Sequence, residues 1–279
     1  MDSESKITAR YLRILSYSVL AFTLAFLINN VLTVWVDWPG VKKIFSHYEL
    51  FGFKQKALQG SELNYGYLQI GIYLICIAGV ILYVFKTYSQ TLEHDSEILS
   101  KFSAYLVRSS FWAVFLVGVA DFIISFMVVE RLWEAIFSPE VKAFMVKAPE
   151  RITFIHFPII LGSFIIGYFT KSVGFIWLAV LVVLSEFVIV LSRFIFSYEQ
   201  AFQGDLVRFW YAALYLFASA YALIHEGHVR VDVLYSSFSE RKKAWTNSIG
   251  SALLGVPLCL IVIFYGLNGK ASIINGPVV

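Results

Sequence analysis

Seven apolar runs of membrane-crossing length dominate this chain and leave it few folds to choose from. A spanning helix needs about 20 mostly apolar residues, because the hydrocarbon core is roughly 30 Å thick and a helix rises about 1.5 Å per residue. Such runs fall near 11–36, 65–85, 102–129, 152–170, 175–196, 206–224 and 244–265. Inside hydrocarbon no water pairs with backbone N–H and C=O groups, so runs this long are expected to be helices that satisfy themselves internally. Composition agrees: 59% of residues are hydrophobic, 15% are charged and mean hydropathy is +0.74. Soluble domains hold about 25% charged residues and 45–50% apolar ones. The expected fold is therefore an all-α, polytopic transmembrane helical protein of about seven spans in a lipid bilayer.

The segments between the runs add detail. Trp35, Trp38 and Pro39 close the first run, with tryptophan suited to the interface and proline stopping the helix. Between 41 and 63, Lys42, Lys43, Lys54 and Lys56 alternate with apolar residues. Val41, Ile44, Phe45 and Tyr48 recur at helical spacing, which fits a helix lying in the membrane surface; an ordinary loop fits too. Ser138-Pro139-Glu140 reads as a helix start, a serine cap followed by proline at the first position. Residues 171–174 leave room only for a tight turn. After the sixth run, Val233, Leu234 and Phe238 fall on one side of a segment suited to the interface.

Net charge is +3, and the positive residues sit at the ends of apolar runs, not in one cluster, so membrane topology explains them and nucleic-acid binding is not expected. Placing Arg230, Arg241, Lys242 and Lys243 in the cytoplasm puts eleven lysines and arginines inside and nine outside. The N-terminus and the 225–243 arm are then cytoplasmic. Residues 1–13 lead directly into a run of spanning length, which reads as a retained first helix rather than a cleaved signal. Cys76 and Cys259 lie within apolar runs and read as small buried hydrophobes.

Charges inside spans are costly and are usually paired or functional. Asp121, Glu186 and Arg193 are the candidates. Glu186 and Arg193 share a helix face two turns apart, too far for a direct pair, so partners on another helix or another subunit are expected. An ion or proton path is the alternative. His225 and His228 are three apart, but Gly227 separates them and no further histidine or cysteine is near in sequence, so no metal or cofactor is expected. No nucleophile elbow, phosphate loop or HExxH motif occurs, and an enzyme is not expected.

The stretch from 205 to 243 carries more pattern than any other. Asp205 and Arg208, at i and i+3, open the sixth run. An aromatic and alanine-rich helix follows, then Gly227-His228-Val229-Arg230-Val231-Asp232, then Arg241-Lys242-Lys243. With Arg193 upstream, this order resembles the small membrane subunit (Q subunit, DctQ-type) of tripartite ATP-independent periplasmic (TRAP) transporters. The resemblance covers about 177–265. It departs where the family's Trp-x-Glu-Glu is reduced to Gln203-Gly204-Asp205, and where a late helix glycine is Ala218 or Ser219. A fourth family helix is missing before the chain stops at Val279, so a truncated chain is expected.

The resemblance implies an accessory subunit, not an enzyme, that braces a large membrane (M) subunit. In such systems M carries sodium-coupled transport and a periplasmic substrate-binding (P) protein captures organic acids. It implies the bacterial inner membrane, a multi-helix extension over 1–171 and a DctQ-like region over 172–279. Arg193, Asp205, Arg208, Gly227, His228, Arg230 and Asp232 would be motif residues of structural use, with Asp121 and Glu186 as intersubunit contacts. A free-standing carrier or channel using Asp121 and Glu186 on an ion path is the competing expectation.

Overall fold

The computed structural model describes residues 3–54, 57–171, 175–198, 201–224, 233–272 and 275. All regular secondary structure among them is helical. In chain order the helices are α1 (Ser3–Trp35), α2 (Val41–His47), a 3-10 turn (Leu50–Gly52), α3 (Ser61–Lys86), α4 (Leu92–Val129), α5 (Trp133–Ile136), α6 (Pro139–Val146), α7 (Ala148–Arg151), α8 (Phe157–Phe169), α9 (Phe175–Phe196), α10 (Ala201–Ile224), α11 (Val233–Ser236), α12 (Glu240–Gly250) and α13 (Val256–Gly266). All seven apolar runs fold as helices. Among the described residues six segments are long and apolar enough to cross a membrane: Ile7–Trp35, Ser61–Lys86, Leu92–Val129, Pro149–Phe169, Ile176–Phe196 and Glu240–Gly266. The run at 206–224 folds into the 24-residue α10.

In five of the six, 11% of the most apolar window is buried by protein, and in Glu240–Gly266 none is. Leu74, Ile75, Leu82, Phe194, Leu253 and Leu254 are all more than 60% exposed. Aqueous proteins do not leave such surface bare. Such surface suits a lipid bilayer, and the chain is a multi-pass membrane protein.

Two of the spans hold a π turn just before a proline. Ile152–His156 precedes Phe157-Pro158, and Ser251–Gly255 precedes Val256-Pro257. Proline lacks the N–H that would bond four residues back, and its ring presses on that carbonyl. Widening the turn to i→i+5 relieves the clash and keeps the helix continuous. The start signalled by Ser138-Pro139 is found where expected: Ser138 precedes α6 with extended backbone, although its side chain makes no capping hydrogen bond, and Pro139 occupies the first turn. The 41–63 segment contains a short helix, α2, followed by the 3-10 turn with Phe51 in the left-handed region.

The chain divides into two compact units, 1–96 with 233–279 and 97–232. The division expected at 171/172 follows the extent of the sequence motif, and these units follow packing.

In the first unit α1 runs along α3. Gly66 of α3 makes room for α2: a Cβ there would collide with the Ile44 side chain. Gly40, at φ 78°, turns the chain out of α1, and its N–H donates to Gln69 Oε1 at 2.8 Å. Gln69, fully buried, donates in turn to Thr33 Oγ1 at 3.2 Å. Phe264 of α13 meets Phe26 edge-on at 4.5 Å, and Asn30 Nδ2 donates to the Leu267 carbonyl at 2.6 Å.

The second unit centres on Phe111, Leu178, Val182, Leu206, Val207, Trp210 and Ala213, from α4, α9 and α10. Trp210 presses on Gly118, where a Cβ would overlap the indole nitrogen. α8 lies equally close to α4: a Cβ on Gly167 would stand 2.9 Å from the Ser109 backbone. Small residues at contacts let membrane helices approach, as both glycines do here.

Candidate functional site

The polar residues within the membrane helices form three groups, each built by a different local cause. The first joins Asp121 of α4 to the helix that begins at α7. His156 Nε2 lies 2.9 Å from Asp121 Oδ1, and Arg151 Nη1 lies 3.4 Å from the same oxygen. The three side chains are 14–26% exposed. In a regular α-helix residues five apart point about 140° away from each other. The π turn over Ile152–His156 closes that gap, with Phe157 N–H bonding to the Ile152 carbonyl five residues back, so Arg151 and His156 converge on one carboxylate. Pro158 thus sets the register of the cluster. An aspartate paired with an arginine is nearly neutral as a unit, which lowers the cost of holding it at membrane depth. The partner expected for Asp121 on another helix or subunit is thus supplied by the chain itself.

The second group was not singled out by sequence reading. Arg13 of α1 is 2% exposed and pairs with Asp95, at 4%, near the start of α4. Its guanidinium also donates to the Thr87 carbonyl at 2.7 Å, to Thr87 Oγ1 at 2.9 Å and to Gln90 Oε1 at 3.4 Å. Thr87 is the residue on which α3 ends. The arginine therefore takes up the orphan carbonyl of that helix end and ties α1, α3 and α4 together. The partners are 74 to 82 positions away in sequence, so no local spacing could have revealed them. The available signal was an arginine set inside the first apolar run, which counted only towards orientation.

The third group is the motif region. Asp205 and Arg208 form a surface pair at 3.4 Å, with side chains 74% and 84% exposed. Glu186 is exposed on α9 and has no hydrogen bond or ion pair among the described residues. Arg193 is exposed near the end of the same helix. Just beyond it, Tyr198 donates to Glu130 Oε1 at 2.9 Å, and that bond to a carboxylate raises the phenol above its ordinary range. Gly227, His228, Arg230 and Asp232 lie outside the described residues, as does the turn expected at 172–174. Beyond them, Tyr235 of α11 and Asn247 of α12 exchange hydrogen bonds at 2.9 and 3.1 Å, and Lys243 sits 5.9 Å from the Tyr235 ring. Among the described residues no three His, Cys, Asp or Glu side chains gather as metal ligands would.

Exposed apolar helices, paired intramembrane charges and a basic arm define a multi-pass helical membrane protein, with charges used mainly for packing. The particular family comes from comparison. Residues 179–277 match the family model described as tripartite ATP-independent periplasmic transporters, DctQ component. The resemblance read from Arg193, Asp205, Arg208 and the 227–232 motif is thereby borne out as a similarity: the match spans about a third of the chain, from α9 to beyond α13. DctQ is a family of transporter components and not of enzymes. No curated protein and no solved structure matches the chain.

Proposed function

We propose that this chain is the small membrane subunit of a TRAP secondary transporter for organic acids, and that it braces the large transport subunit against the bilayer. The family match over α9–α13 is the observation that carries this reading. The exposed acid and apolar surface of that region support it. Glu186 stands on α9 beside Phe187, which is 56% exposed. A charge on a lipid-facing helix is costly, and a complementary charge on a partner helix removes the cost. Asp121 is already matched within the chain, so Glu186 is the stronger intersubunit contact. Sodium coupling and substrate recognition belong, on this reading, to the large subunit and the periplasmic binding protein. The chain resides in the bacterial inner membrane, with its N-terminus and the 225–243 arm cytoplasmic. Residues 1–171 extend the subunit.

Reconstitution tests the division of labour. Liposomes holding this chain alone should take up no organic acid, whereas liposomes holding it with the large subunit and the binding protein should. Sodium-driven uptake by the chain alone would make it a free-standing carrier and overturn the proposal.

A further inference from the structure

A cleft of about 730 Å³ opens within the first unit, between α1, α3 and the segment that follows α1. Phe22, Phe26, Ile70 and Tyr73 form part of its wall, and Lys42, Lys43 and Asn29 also line it. From Phe22 to Val34, both lining residues, α1 rises about 18 Å. That is close to the depth of one leaflet, half of a hydrocarbon core about 30 Å thick. The outer end of the cleft is marked by interface aromatics: Trp35 is half exposed, and Trp38 stacks on Tyr65 at 4.8 Å and 16°. Lys42 and Lys43 therefore stand at headgroup level while the phenyl rings lie along the acyl region.

The charge there is unbalanced. Asp37 is already taken by Lys270. Lys42 and Lys43 are exposed and form no ion pair among the described residues; Lys42 lies 6.0 Å from the Phe53 ring. Two cations at the mouth and a leaflet-deep apolar wall match one occupant. A soluble anion would leave the wall bare, and an apolar helix would leave the lysines unmet.

We propose that this cleft holds one anionic glycerophospholipid. Its acyl chain lies along Phe22, Phe26, Ile70 and Tyr73, and its phosphate faces Lys42 and Lys43. Native mass spectrometry of the full-length chain in detergent, titrated with phosphatidylglycerol, phosphatidylcholine or glycerol phosphate, tests this. Phosphatidylglycerol should be retained as a one-to-one adduct in preference to phosphatidylcholine, and glycerol phosphate should not bind. The double variant Lys42→Gln/Lys43→Gln should lose roughly thirtyfold in affinity, the worth of two basic residues at an anionic surface. Lys86→Gln, far along α3, should leave retention unchanged. Lys42 and Lys43 are exposed, so their replacement leaves folding intact, and a thermal melt of the lipid-free variant should match wild type. Equal retention of the two lipids, full binding by the double variant, or binding of glycerol phosphate alone would each overturn the assignment.

Discussion

Arg13 is buried to 2% exposure, and its charge is met almost wholly by Asp95 and the end of α3. Removing one member of such a pair leaves a buried charge uncompensated, which costs about 3–5 kcal/mol. Arg13→Ala and Asp95→Ala should each lower the melting temperature in detergent sharply. The double replacement Arg13→Met/Asp95→Leu, which removes both charges and keeps volume, should recover most of the loss. A double variant no more stable than either single one would show that the pair's value lies in its geometry and not in charge compensation. Asp205 and Arg208 are the contrast. Their pair is highly exposed, and such pairs contribute about 0–1 kcal/mol. Residue type and spacing made the Asp205–Arg208 pair legible in the sequence, because i, i+3 neighbours meet on any helix. The Arg13–Asp95 and Asp121–His156 contacts were not legible, because they depend on which helices pack together. Asp121 itself could be singled out as a charge needing a partner, but its identity as His156 and Arg151 required the fold.

At the scale of helices, two glycines and a proline set the packing. Gly167 lets α8 approach the Ser109 backbone of α4, and a methyl group there has nowhere to go without moving one helix. Gly167→Ala should destabilise by about 1–3 kcal/mol, the usual cost of overpacking. Gly162→Ala, on the same helix with open space around it, should be near neutral, so the comparison in one melting assay separates packing from helix propensity. Pro158 acts on register. Pro158→Ala restores the backbone N–H and removes the reason for the π turn, so His156 should rotate away from Asp121. A double-mutant cycle between Asp121→Asn and His156→Ala should show coupling in wild type and little in the Pro158→Ala background. The helices themselves were legible because length and hydropathy encode them directly. The π turns were not, since widening depends on a local clash that hydropathy does not register. The run at 206–224 is the helix that buries Trp210 and Val207 against α4 and α9.

For the whole molecule, composition and run length carried the fold class, and one ordered motif carried the similarity to the DctQ component. The 205–243 stretch works as a set: Asp205 and Arg208 alone are an ordinary surface pair, yet their order with the arm points to the region that matches the DctQ component. Packing cuts across that boundary, since the unit limit at 232/233 falls within the matched stretch. The central claim is that this chain works as part of a larger membrane assembly. Affinity purification of the tagged chain from its native membranes in mild detergent tests it most directly. The account predicts a stoichiometric, larger polytopic partner that is lost when Glu186 is replaced by lysine. A chain that purifies alone and unchanged by that replacement, from cells that still transport, would contradict it.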